Sequence, residues 1–154
     1  MTDLDRAIDF YVDKLGFELG FGGKVGSSAL LLYRRQTMRW MLGLFHVDAV
    51  AHRRLAEYHI SFRMAETEVN SMIPYLRERG IEPVHPPGAP LQGRMTEPIV
   101  HGWMPAAAVF FKDPNGHLLE LIAELPDAPR PEFLYRPLSE WRGLVGRTVR
   151  TGDR

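Results

Sequence analysis

Apolar residues recur at Leu4, Ile8, Tyr11 and Leu15 within DLDRAIDFYVDKLG (3–16), the stripe of an amphipathic helix. Thr2 or Asp3 can cap its start, and Gly16 can take the left-handed conformation that ends it. Short β-like runs follow at FELGF (17–21), ALLLY (29–33) and RWMLGLF (39–45). EYHISFRM (57–64) alternates strictly, so Tyr58, Ile60 and Phe62 face one way and His59, Ser61 and Arg63 the other. A second helix is expected over TEVNSMIPYLRERG (67–80), with Val69, Met72, Ile73 and Leu76 on its apolar face. Pro74 inside it removes a hydrogen bond and bends the helix or delays its regular part. IEPV (81–84), AAVFFK (107–112) and HLLELIAE (117–124) supply three further strands, the last two joined at Asn115-Gly116 as a hairpin.

The order of elements repeats. YVDKLGFE (11–18) aligns with YLRERGIE (75–82), each reading helix, glycine, strand. The plan is α+β, a βαβββ module twice over, with modules at about 1–50 and 56–125 of a single domain spanning 1–125. The spacing between Gly16 and Gly80, carried back from His59, leads to a position before Met1. The first strand of the first module is therefore expected to be absent, and a chain that starts upstream is the preferred explanation. Between strands lies HPPGAPLQGRMTEPIVHGWMP (85–105), a Pro- and Gly-rich stretch expected to be a functional loop. From 126 to 154 a Pro- and Arg-rich tail follows. Its Phe133, Leu134, Tyr135 and Trp141 are expected to pack on the domain or a partner subunit, and it is expected to loosen from Thr148.

Composition narrows the class of function. The chain of 154 residues is 45% hydrophobic and 25% charged, ordinary for a soluble globular domain. Lys+Arg and Asp+Glu both total 19, so no global field favours nucleic acid or an anionic membrane. Zero cysteines exclude disulfides, thiolate metal sites and a Cys nucleophile, and fit a cytoplasmic protein. No apolar run is long enough to span a bilayer, and no signal-peptide pattern opens the chain.

Two residues stand out chemically. Glu120 lies within the apolar run LLELI (118–122), and His59 lies on the polar face of its strand. Glu120 is either an acid that pairs with a nearby Arg or Lys or reaches solvent, or an oxygen ligand that joins a neutral imidazole on a divalent cation. His59 is either satisfied by ordinary hydrogen bonds or that imidazole. A catalytic metal needs a third ligand, which the repeat places upstream of Met1; His46 is a weak substitute at the end of a strand. His52 reads as a surface residue and His117 as structural. Arg94, His101 and Trp103 could line a pocket for a small planar or anionic ligand, with Ser61 and Arg63 beside His59 as further substrate contacts. Tyr33 and Trp40 are lesser candidates. Neither a nucleophile elbow nor a phosphate loop is present, and the glycines of LGFGGK (19–24) do not follow the dinucleotide fingerprint.

These residues carry a resemblance. DLDRAIDFY with LGFEL across 3–19, HISF at 59–62 and VFFKDPNGHLLEL at 109–121 resemble the vicinal oxygen chelate superfamily. That group includes glyoxalase I, bleomycin-resistance proteins, fosfomycin-resistance thiol transferases and type I extradiol dioxygenases. The resemblance implies paired modules forming a cupped mixed sheet, with helices outside and a divalent metal (Fe, Mn, Zn or Ni) in the cup. By position His59 and Glu120 match two of the family's ligands, Glu120 also serving catalysis, while the ligand on the first strand has no residue here. The implied function is a metal-dependent lyase, isomerase, dioxygenase or thiol transferase acting on a small molecule with adjacent oxygens. The rival is a metal-independent protein that sequesters an antibiotic or aromatic metabolite. A homodimer is implied, with neither nucleic acid nor membrane as partner.

Overall fold

In a computed structural model, residues 2–35, 38–46 and 58–146 are described; the readings of His52 and of the stretch after Thr148 lie outside them. The fold is α+β, and the chain forms two compact units, Met1–His59 with Lys112–Leu118, and Ile60–Phe111 with Leu119–Arg154.

In the first unit, α1 (Leu4–Asp9) starts where the Asp3 carboxylate accepts from the Arg6 N–H at 2.9 Å, satisfying an otherwise orphaned donor. A π-helical turn (Phe10–Lys14) continues it, and Gly16, at φ 77°, ends it as expected. Leu4, Ala7, Ile8, Phe10, Tyr11 and Leu15 are buried along this stretch. Strands β1 (Glu18–Val25), β2 (Ser28–Arg35) and β3 (Met38–Phe45) form an antiparallel sheet in that order. Ala29 and Leu31 of β2 and Leu44 of β3 are buried. Among the described residues no strand precedes α1.

The turn at 112–118 belongs to this unit, and its DPNGH sequence is explained by hydrogen bonds. Asp113 accepts from the backbone N–H groups of Asn115 (2.8 Å) and His117 (2.9 Å), and Gly116 takes φ 87°, which favours glycine. The Tyr11 hydroxyl donates to the same carboxylate at 3.2 Å, and His117 Nδ1 accepts from the Tyr58 N–H. Burial, and then the Asp113 charge, push the Tyr11 phenol well above its ordinary value. A group whose pKa rises on folding contributes stability below its unfolded pKa and loses it above. Urea midpoints should therefore drop as pH climbs past about 10, the unfolded phenol's value. Tyr11→Phe should flatten that decline; equal slopes in both proteins would dismiss the coupling.

In the second unit, β4 (His59–Arg63), β5 (Ile99–His101), β6 (Ala106–Lys112), β7 (Leu118–Glu124) and β8 (Arg136–Pro137) form one sheet in the order β4-β7-β6-β5-β8. The sheet is mixed. β5 runs antiparallel to β6 and β8. The Leu118 N–H donates to Tyr58 O and the Met64 N–H to Ile122 O, so β4 and β7 run in the same direction. All six residues from Ala106 to Phe111 are buried, the unbroken apolar run of a strand covered on both faces.

The second helix divides into α2 (Glu66–Val69) and α3 (Met72–Glu78), with Val69, Met72, Ile73 and Leu76 all buried. Pro74 falls in the first turn of α3, where its missing N–H would have had no intrahelical partner. The proline thus delays the regular helix rather than kinking it. IEPV does not form a strand: only Val84 bridges Phe110, since Pro83 has no N–H to give a ladder. The stretch 85–105 is not a loop throughout, because Ile99–His101 pair with Ala106–Ala108 as β5. The tail adds β8 at the sheet edge and then α4 (Leu138–Leu144), which buries Leu138 and Trp141. The Trp141 indole N–H is satisfied by Asp127 at 3.0 Å. No helix among the described residues is long and apolar enough to cross a membrane.

Candidate functional site

Glu120 is only 3% exposed in the middle of β7. A carboxylate there is costly unless its oxygens are bonded, and both are. Ser61, on the exposed side of β4 and level with it, donates its hydroxyl to Oε2. From β5, across β6, the His101 Nε2 lies 2.8 Å from Oε1. An ionised carboxylate can only accept, so Nε2 carries the hydrogen, and in a neutral imidazole Nδ1 is then a bare acceptor. His101 is itself 7% exposed, and its buried Nδ1 has no hydrogen-bond partner. Aromatic rings surround it: Tyr135 at 5.2 Å, Phe110 at 5.9 Å and Trp103 at 6.3 Å between centroids.

The tail encloses this end of the sheet. Arg130 N–H donates to Gly102 O at 2.7 Å, and a Cβ at Gly102 would lie 2.1 Å from Phe133 O and 2.7 Å from Arg130 O. Only glycine lets the two backbones approach so closely. The tail and the 90–91 stretch line a cavity of about 410 Å³, with Pro90, Leu91, Phe133, Tyr135, Arg136 and Glu140 among its walls.

Of the residues expected at the site, the structure brings Ser61, Glu120, His101 and Trp103 together. Trp103 is half exposed at 52%. Arg94 is engaged elsewhere: its guanidinium forms a two-pronged contact to Glu82 (3.0 and 2.9 Å), which Arg77 also binds. Hydrogen bonds from Arg94 and Arg77 hold the Glu82 carboxyl down at about 2. Arg63 pairs with Glu124 at 2.9 Å on the exposed side of the sheet. Tyr33 and Trp40 stack on one another in the first unit, 4.8 Å apart and 15° from parallel. His46 lines an open, polar cavity of about 520 Å³ in that unit, beside Ser27 and the Asp5–Lys24 ion pair. His59 is the exposed first residue of β4.

Sequence reasoning set His101 beside Trp103 and Arg94 rather than against Glu120. No periodic signal links β5 to β7, which touch only by reaching over β6. Among the described residues no three His, Asp or Glu side chains converge to hold an ion, and the Glu120 oxygens face a hydroxyl and an imidazole.

The family model described as the Glyoxalase/Bleomycin resistance protein/Dioxygenase superfamily matches residues 1–121. Nothing among curated proteins matches. Solved structures that resemble the chain include an integron cassette protein from the mobile metagenome of the Halifax Harbour sewage outfall. It is 25% identical over 80% of this chain and 90% of its own, with a TM-score of 0.58. A glyoxalase/bleomycin resistance protein/dioxygenase from Nocardioides is 21% identical over 84% of this chain and 81% of its own, at a TM-score of 0.59. A lactoylglutathione lyase from Agrobacterium tumefaciens is also 21% identical, over 79% and 86%, with a TM-score of 0.59. The latter two are similar in fold alone.

Proposed function

The chain belongs to the glyoxalase/bleomycin resistance protein/dioxygenase superfamily, and on that footing we propose that it binds a small organic molecule beside Glu120 without a resident metal. One observation supports this: the buried carboxylate is hydrogen-bonded on both oxygens by Ser61 and His101, so its burial is compensated by protein groups without a cation. Of the family's range, the metal-independent sequestering proteins fit such a donor set better than the metal enzymes do. A metal-dependent lyase, isomerase, dioxygenase or thiol transferase is the second reading. It is favoured by His59 and Glu120 standing at the two motif positions the resemblance marks as ligands.

The two separate on metal content. Elemental analysis of protein purified without chelator, alongside His59→Ala and Glu120→Gln, should find metal well below one per chain and unchanged by either substitution. Quenching of tryptophan fluorescence by bleomycin or small aromatic compounds should persist in the metal-stripped protein and weaken in Glu120→Gln. Stoichiometric metal that disappears in both variants would establish the second reading instead.

A further inference from the structure

Resting on the metal-free reading of the Glu120 site, we propose that Nδ1 of His101 is the atom that selects the ligand, and that the ligand is a neutral aromatic alcohol or amine. Two independent features lead there. The first is the orphaned acceptor. Nδ1 is buried and without a partner, and in the neutral ring that gives Nε2–H to Glu120 it is a bare lone pair. Buried polar atoms in folded proteins are rarely left so, because desolvation is not recovered. An acceptor needs a donor, which selects O–H or N–H on the ligand. The Glu120 carboxylate behind the ring disfavours an anion through like-charge repulsion.

The second feature is the aromatic enclosure and its opening. Tyr135, Phe110 and Trp103 all present rings around His101, a setting for a flat apolar body. Tyr135 also lines the cavity of about 410 Å³ under the tail. Tyr135 is thus both a wall of that cavity and a neighbour of the His101 ring. Arg136 adds no strong anion site, since its guanidinium lies over the Phe133 ring and 3.4 Å from Glu140. On this proposal the tail, through Tyr135, walls the ligand site. Gly102 and the β5–β8 pairing hold it there.

The test compares 2-naphthol with its methyl ether, which has the same aromatic body and no donor, by titration of the full chain. Metal content is measured on the same samples. Naphthol should bind about tenfold more tightly, the worth of one buried hydrogen bond, and His101→Phe should abolish the difference. Nitrogen-15 spectra of the unaltered protein should show His101 protonated at Nε2 and bare at Nδ1, with the Nδ1 signal moving on naphthol binding; this arm needs no variant. Equal affinities in metal-free protein, or a hydrogen on Nδ1, would overturn the inference and leave the metal-free reading standing. Binding of neither compound, or stoichiometric metal lost in Glu120→Gln, would remove that reading as well.

Discussion

Replacing Gly102 with alanine is expected to cost about 3 kcal/mol or more and to loosen the C-terminal segment from the sheet. The added methyl would sit 2.1 Å from Phe133 O and 2.7 Å from Arg130 O, both backbone atoms that cannot swing aside as a side chain can. Relief requires moving the chain at 130–133, which breaks the Arg130–Gly102 hydrogen bond and strains the two-residue pairing of β5 with β8. Chemical denaturation should show the lower midpoint, and limited proteolysis should cut between Leu125 and Leu138 far faster than in the parent. Unchanged cleavage with unchanged midpoint would show that the tail shifts without cost.

Glu120→Leu is the second large effect, again about 3 kcal/mol. Leucine fits an apolar strand, yet the substitution leaves the buried His101 with both ring nitrogens unpaired and the Ser61 hydroxyl without its acceptor. Each abandoned buried polar group costs about 1–3 kcal/mol. Ser61 lies on the exposed side of β4 and can turn to water, so His101 carries most of the loss. The double variant Glu120→Leu/His101→Phe should therefore recover much of the stability, because removing both partners is far cheaper than removing one. A cycle of the two singles and the double, read from denaturation midpoints, measures the coupling. A double variant less stable than Glu120→Leu alone would show that the imidazole contributes by its shape instead.

Much of this architecture is legible in the residues, and the exceptions share a cause. The helical stripe from Leu4 to Leu15, the alternation of β4 and the turn at Asn115-Gly116 are local patterns, set within a few positions and kept in the structure. IEPV reads as a strand by composition, but pairing is a property of two chains, and Pro83 withholds the donor its neighbour would need. β5 was hidden because three residues in a Pro- and Gly-rich stretch carry no period. The same holds for Arg136–Pro137, whose strand exists only because the outer edge of β5 is open to it. At the site, Glu120 and the exposed face of β4 could be found from alternation. The partner of Glu120 could not, since His101 reaches it over an intervening strand.

The strand order also sets a timetable for synthesis. β6 and β7 are hairpin neighbours, and β4 precedes them, so these three strands are all synthesised before the segment that covers β5. The outer edge of Ile99–His101 has a longer wait. Among the described residues its cover is Arg136–Pro137, the last of their strands in chain order, and Leu138 and Trp141 follow later still. During that interval an uncovered edge is available to neighbouring nascent chains. Ending the chain before Arg136 should therefore lower the soluble yield, whereas ending it after Gly146 should not.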